Sequence, residues 1–225
     1  MNSPLSSPAL TLTADSNKHI NYQADAHNYL TQVFGAELPA IQTGFFNVHM
    51  TRGFVVQPHW HTNATELVFA ISGEILTSVF NPCTQQLMTY KLAPGQVSVF
   101  PKGWFHWIVV LSEQAHFLAI FDVPTPDVVY GSDFLKAIPP EVLNRAYCVS
   151  EEDYKKAVAP LQESVIIGPP PGCVCGNFPP PVQGIPKLSH HGGHQSASSP
   201  PCPSDSQVYL HGYAGQLGGR YPYSY

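Results

Sequence analysis

Gly53-Phe-Val-Val-Gln-Pro-His59-Trp-His61-Thr-Asn-Ala-Thr-Glu66-Leu-Val-Phe-Ala-Ile-Ser-Gly73 is the stretch on which the reading of the whole chain turns. In an extended strand, residues i and i+2 share a face, so His59 and His61 project together. A short polar turn then leads to Glu66 at the head of a second apolar run, where its carboxylate returns to that face across the strand pair. Further along, Gly95-x5-Pro101-x-Gly103-x2-His106 makes a tight Pro-x-Gly turn that delivers one more imidazole at the start of a strand. Three imidazoles and one carboxylate form a mixed nitrogen and oxygen set suited to a divalent ion such as Mn, Fe, Ni or Zn.

The flanking sequence fits that reading. Segments 65–72, 74–80, 87–92, 96–100, 106–111 and 115–123 are rich in Val, Ile, Phe and Thr. Turn signals separate them: Ser72-Gly73, Asn81-Pro82, Pro94-Gly95, Pro101-Lys-Gly103 and Ser112-Glu-Gln114. Strands and turns at this spacing predict an all-β antiparallel sandwich or barrel. Helix signals follow it. Pro139-Pro140-Glu141 opens a short helix to about Tyr147, and Ser150 caps another that runs to about Val158.

The chain has 225 residues with 15 acidic and 10 basic side chains, a formal net charge of −5. So few Lys and Arg exclude a nucleic-acid-gripping patch. No apolar run approaches the roughly 18–20 residues of a membrane span. The N-terminus lacks a basic segment before its apolar residues, which predicts a cytoplasmic protein over a secreted or surface one. From residue 168 onward the composition shifts: 11 of the 23 prolines and 10 of the 17 glycines fall there, with only Lys187, Asp205 and Arg220 charged. Residues 166–225 therefore read as a disordered Pro/Gly/Tyr-rich tail, 1–17 as a flexible arm, and 18–165 as the folded unit. Five cysteines, an odd number, argue against a complete disulfide framework.

The two site segments resemble the paired motifs of the cupin superfamily, G-x5-H-x-H-x4-E-x6-G and G-x5-P-x-G-x2-H-x3-N. Gly53, His59, His61, Glu66 and Gly73 fit the first; Gly95, Pro101, Gly103 and His106 fit the second, with Val110 in place of its final Asn. Pro58-His-Trp-His61 followed by Ala64-Thr-Glu66 is most similar to germin-like proteins and single-domain relatives of oxalate decarboxylase, and 134–147 resembles their closing helices. The resemblance implies a double-stranded β-helix, a jelly-roll barrel, holding Mn or less often Fe on His59, His61, Glu66 and His106. It also implies a homo-oligomer, and a small carboxylate such as oxalate or a dioxygen species as reaction partner. Mn is the weakest binder in the Irving–Williams order, so supply also decides which ion is found.

Catalytic groups are less evident. Where the resembling oxalate enzymes carry Arg or Asn three residues before the first motif histidine, this chain has Val56. The stretch matching their lid, 122–133, holds no Glu; Asp127 and Asp133 are the stand-ins for a proton donor. Trp60, Asn63, Phe105 and Trp107 flank the ligands and are expected, with Val56, to line the pocket. Asn47 and His49 read as surface or edge groups. Two functions follow: a metal-dependent enzyme acting by decarboxylation or oxidation, or a non-catalytic cupin that binds a small ligand or builds a coat through its tail.

Overall fold

A computed structural model describes residues 4–173; the sequence expectations for the tail beyond them lie outside the described residues. Twelve strands, three α-helices and two single-turn 3-10 helices are present among the described residues. In chain order the strands and α-helices are β1 (Ile20–Gln23), β2 (Tyr29–Val33), β3 (Phe45–Thr51), β4 (Val55–Trp60), β5 (Glu66–Ser72), β6 (Ile75–Asn81), β7 (Gln86–Leu92) and β8 (Val97–Phe100). After them come β9 (His106–Val110), β10 (Gln114–Phe121), β11 (Val129–Tyr130), α1 (Gly131–Ala137), α2 (Pro140–Tyr147), α3 (Glu151–Val158) and β12 (Ile167–Gly168). One sheet runs β1-β2-β3-β10-β5-β8; the other runs β11-β4-β9-β6-β7, with β12 also on β4. All pairings are antiparallel.

The sheets face each other through alternating side chains, as half-buried antiparallel strands do. β3 and β10 alternate strictly, placing Phe46, Val48 and Met50 and then Ala115, Phe117, Ala119 and Phe121 in the core. Ile75 and Val79 of β6 and Ile108 and Val110 of β9 meet them from the other sheet. The outward positions of the first sheet carry a cross-strand ladder of rings. Tyr29 stacks on His49, and His49 on His116 with centroids 4.1 Å apart. Asn47 accepts a 2.6 Å hydrogen bond from His116 Nε2, so Asn47 and His49 are surface groups of the sheet.

Two features depart from the sequence expectation. The folded unit does not stop at residue 165: Ile166 and Ile167 are buried, and β12 pairs with Val55 and Val56 of β4. A Pro/Gly-rich segment still adds a strand when two isoleucines precede the prolines, because burying each contributes about 2–3 kcal/mol. A third helix, α1, precedes the two expected. It begins at a glycine and Tyr130 provides no side-chain cap, so it carries no start signal. α3 starts as expected, with the Ser150 hydroxyl accepting from Asp153 N–H.

Candidate metal centre

β4 is not a regular strand. Its register with β9 shifts between Val56 and His59, and the Pro58 nitrogen, which has no hydrogen to give the ladder, lies within the shift. The irregularity turns both Val56 and His59 inward although they are an odd number apart. His61 follows at the end of the strand, and its carbonyl accepts from Gly103 N–H at 2.8 Å. Gly103 sits at φ +80°, where a side chain would be strained. The Pro101–Gly103 turn thus fixes the end of β4 while it starts β9 at His106. Glu66 opens β5, opposite Phe100 of β8.

The donor atoms of His59, His61, Glu66 and His106 all lie within 4.8 Å of one another, and all four residues are buried. Glu66 Oε2 is 3.0 Å from His61 Nε2, 3.0 Å from His106 Nε2 and 3.9 Å from His59 Nε2. Each imidazole uses Nδ1 against a backbone carbonyl: His59 on Gln57 at 2.6 Å, His61 on Asp127 at 2.7 Å and His106 on Trp104 at 2.8 Å. A neutral ring has one N–H, and a carbonyl only accepts, so that hydrogen is on Nδ1 and each Nε2 presents a lone pair. His59 Nε2 and His106 Nε2 then face each other at 3.1 Å with no hydrogen between them. Four Lewis bases converging in a buried space fit a bound cation, with the carbonyls holding the rings in the ligating tautomer. Phe100 stacks on His106 at 4.2 Å, and Phe121 packs edge-on against His61.

Burial and neighbouring charge shift three of these groups. Burial, with the neighbouring imidazole of His106, pushes His59 down to about 3, so it stays neutral. Burial opposes ionisation of Glu66, yet the His106 and His61 rings, which donate to it once Nε2 takes up a proton, outweigh it and hold the carboxyl below its ordinary range. His61 is raised: burial again opposes its charged form, and the adjoining Glu66 carboxylate overcomes it.

His59, His61 and Glu66 themselves bound a cavity of about 20 Å³, whose remaining wall is apolar and includes Val56, Leu30, Phe46, Ile108, Phe117 and Ile166. Val56 lines it. Trp60, Phe105 and Trp107 do not: each neighbours an inward histidine along its strand, and period-two alternation turns it to the outer face. There they line a separate groove with Phe134 and Leu135. Asn63 is not a lining residue either. Its Oδ1 accepts from Asp127 N–H at 2.8 Å and its Nδ2 donates to the Thr125 carbonyl at 3.2 Å. It thereby clamps the 122–130 loop whose Asp127 carbonyl orients His61. Neither acid offered as a proton donor faces the donors. The Asp127 carboxylate accepts from Thr62 Oγ1 at 3.2 Å. That of Asp133 accepts from Ser164 and pairs with Lys136, and both hold it below the usual carboxylate range.

The β-sandwich and this donor set define the class: the chain belongs to the cupin family, whose model, described as Cupin, matches residues 13–155. Among curated relatives, the rhicadhesin receptor of Pisum sativum is 30% identical over 170 residues, covering 66% of this chain and 75% of that one. Germin-like protein subfamily 1 member 1 of Arabidopsis thaliana is 31% identical over 105 residues, 44% of this chain and 48% of its own. The chain thus spans about half the length of that relative. In structure, oxalate decarboxylase from Bacillus subtilis superposes with a TM-score of 0.61 at 22% identity, covering 71% of this chain and 41% of that one. The coconut allergen cocosin gives 0.65 at 19%, covering 74% and 46%. At these identities the structural likeness shows the fold. No helix among the described residues is long and apolar enough to cross a membrane.

Proposed function

We propose that the chain is a manganese-binding germin-like cupin acting on a small dioxygen species, with superoxide the substrate, and that it does not turn over oxalate. The observation that carries this is the cavity beside the donors. At about 20 Å³ the space bounded by the donors and this wall is on the scale of one small ligand. A dicarboxylate is several times larger, and a second charged end would lie against Leu30, Phe46 and Phe117 with no polar partner, a burial that is costly.

His59, His61, Glu66 and His106 hold the ion in this reading. When bound, a redox-active divalent ion supplies an electron donor and acceptor at the barrel centre. Glu66 brings the one negative charge, so the loaded site is net positive and draws in one small anion through a low-dielectric wall. The apolar lining excludes bulk water, and the three Nδ1–carbonyl bonds keep the rings from turning away. Two superoxide ions and two protons give dioxygen and hydrogen peroxide. Glu66 is the one carboxylate that lines the cavity among the described residues, so the protons come from solvent. The lack of a second one argues against decarboxylation, which needs a placed proton donor. Several copies assemble in this proposal through the exposed apolar face of β5 and β8, where Phe69, Ile71, Val97 and Val99 are uncovered.

The Mn-loaded full chain is expected to dismute superoxide and leave oxalate unchanged, both activities read on one preparation. Formate or CO₂ released from oxalate, or inertness towards superoxide, would overturn the assignment. A second reading, a non-catalytic metal-holding cupin, is favoured by the absent proton donor; metal retention with no turnover of either substrate would establish it.

A further inference from the structure

The wall of the cavity at the donors has one member from outside the barrel strands. Its other apolar residues lie on β2, β3, β4, β9 or β10, whereas Ile166 belongs to the segment that follows α3. That segment is lightly held. Among the described residues β12 pairs only Ile167 with Val56 and Gly168 with Val55. A bond from Gln57 N–H to the Ile166 carbonyl, 3.0 Å long, fixes Ile166 itself. By contrast β3, which supplies Phe46, is paired along its length by β2 on one side and β10 on the other.

The segment covers a seam between the two sheets. On one side β4 is bordered by β9; on its other side β11 takes the end at His59 and Trp60, and β12 takes the end at Val55 and Val56. Towards the first sheet, Tyr22 lies on its edge strand β1, and its phenol is raised by burial and then by the charge of Glu163. Residues 163–168 thus pass from the edge of one sheet to the edge of the other. Val165, Ile166 and Ile167 are buried along this path. Ile166 keeps 8% exposure, the most of any residue around the cavity, while Leu30, Ile108 and Phe117 keep 1% or less. One residue therefore borders both the cavity and the solvent, and the barrier between them is thinnest there.

We propose that Ile166 is the specificity-determining residue of the metal centre: carried on the β12 strap, its side chain seals the seam between the sheets and limits the site to a small anion, excluding carboxylates as large as acetate. The inference rests on the reading of this cavity as the place of one small anion. Exclusion here is steric, and it is supplied by the wall and not by the ligating groups. Deleting the side chain beyond Cβ at position 166 leaves space that the surrounding strands fill only in part, so the cavity extends towards solvent. The same deletion within β3 or β10 would enlarge the core without opening it.

The test uses the full chain loaded with Mn and reads anion binding from the electron paramagnetic resonance spectrum of the ion, with no turnover involved. Fluoride is the small probe and acetate the larger one. The parent chain is expected to bind fluoride and to leave acetate unbound. Ile166→Ala should bind both, with an acetate affinity at least tenfold above that of the parent. Ile166→Val, which keeps the β-branch, should fall between them and decides the matter if the alanine variant does not fold. Phe134→Ala, altered on the outer face, should match the parent. Acetate binding that is equal in the parent and the folded Ile166 variant, with fluoride bound by both, would overturn the role of Ile166 and leave the small-anion reading standing. So would a gain of acetate binding in Phe134→Ala as large as that in Ile166→Ala. Fluoride ignored by the Mn-loaded parent would overturn the small-anion reading, and this inference with it.

Discussion

Removing the side chain of Asn63 tests whether the 122–130 loop is a working part of the metal centre. Asn63→Ala deletes two hydrogen bonds, one from Asp127 N–H and one to the Thr125 carbonyl. Each is worth about 0.5–1.5 kcal/mol net. Both lie near the surface, where water replaces part of the loss, so the expected cost is about 1–2 kcal/mol. For a chain of this size that lowers Tm by about 2–8 °C. The larger effect is on the ion. Once the loop is released, the Asp127 carbonyl no longer holds His61 Nδ1 at 2.7 Å, and loss of such support typically costs about 10–100-fold in metal affinity. Asp127→Asn is the control, because it alters the carboxylate and keeps the carbonyl; its affinity should match that of the parent. Competition titration of Mn against a chelator reads both variants. Unchanged affinity in Asn63→Ala, or a collapse in Asp127→Asn, would refute the clamp and point to the Asp127 carboxylate instead.

Acid should destabilise the metal-free protein before it affects ordinary surface carboxylates. The folded pKa of His59, about 3 against 6.5 unfolded, is depressed, so its contribution is complete above 6.5 and lost as pH falls towards 3. The full shift corresponds to on the order of 5 kcal/mol. Glu66, also depressed, adds a loss at lower pH, below its ordinary range of about 4.5. His61 is raised and works in the opposite sense, its contribution being lost as pH rises through its folded value. Melting the chelator-treated chain between pH 8 and 4 should show a steep fall beginning near neutrality; a flat profile to pH 5 would contradict the burial of neutral His59. The motif glycines should differ in tolerance. In Gly73→Ala the new Cβ meets the Gln114 carbonyl and lies 2.5 Å from Ser112 Oγ, at φ +76°, so the chain should fail to fold or lose more than about 3 kcal/mol. Gly95→Ala has φ +84° and open space and should cost only about 1–2 kcal/mol. Equal melting shifts for the two would contradict this ranking.

Local chemistry made the barrel and its donor set readable. Apolar runs separated by Gly and Pro turns marked β5 to β10 to within a residue or two, and the i, i+2 spacing of His59 and His61 put both on one face. The aromatic neighbours were misplaced, although alternation held the answer: Trp60 must point away from His59, and Phe105 and Trp107 away from His106. The fact that Val56 and His59 both face inward depends on a register shift at Pro58, which no count along the strand provides. The lining of the cavity by Leu30, Phe46 and Phe117 depends on β2, β3 and β10 packing across the barrel, a long-range outcome. The link between Asn63 and Asp127 spans 64 residues, and its polar partners resemble any solvated loop until the chain folds. Ile166 and Ile167 were hidden by the prolines that follow them.

Whether the four donors hold an ion is read most directly by elemental analysis of the full chain purified without chelator, beside His59→Ala. The expected result is close to one divalent transition-metal ion, Mn foremost, per parent chain and almost none in the variant, with both sharing the same β-rich circular dichroism. Equal metal content in the two proteins, or a parent chain that stays metal-free when Mn, Fe, Ni and Zn are each supplied, would contradict the assignment of His59, His61, Glu66 and His106 as a metal centre.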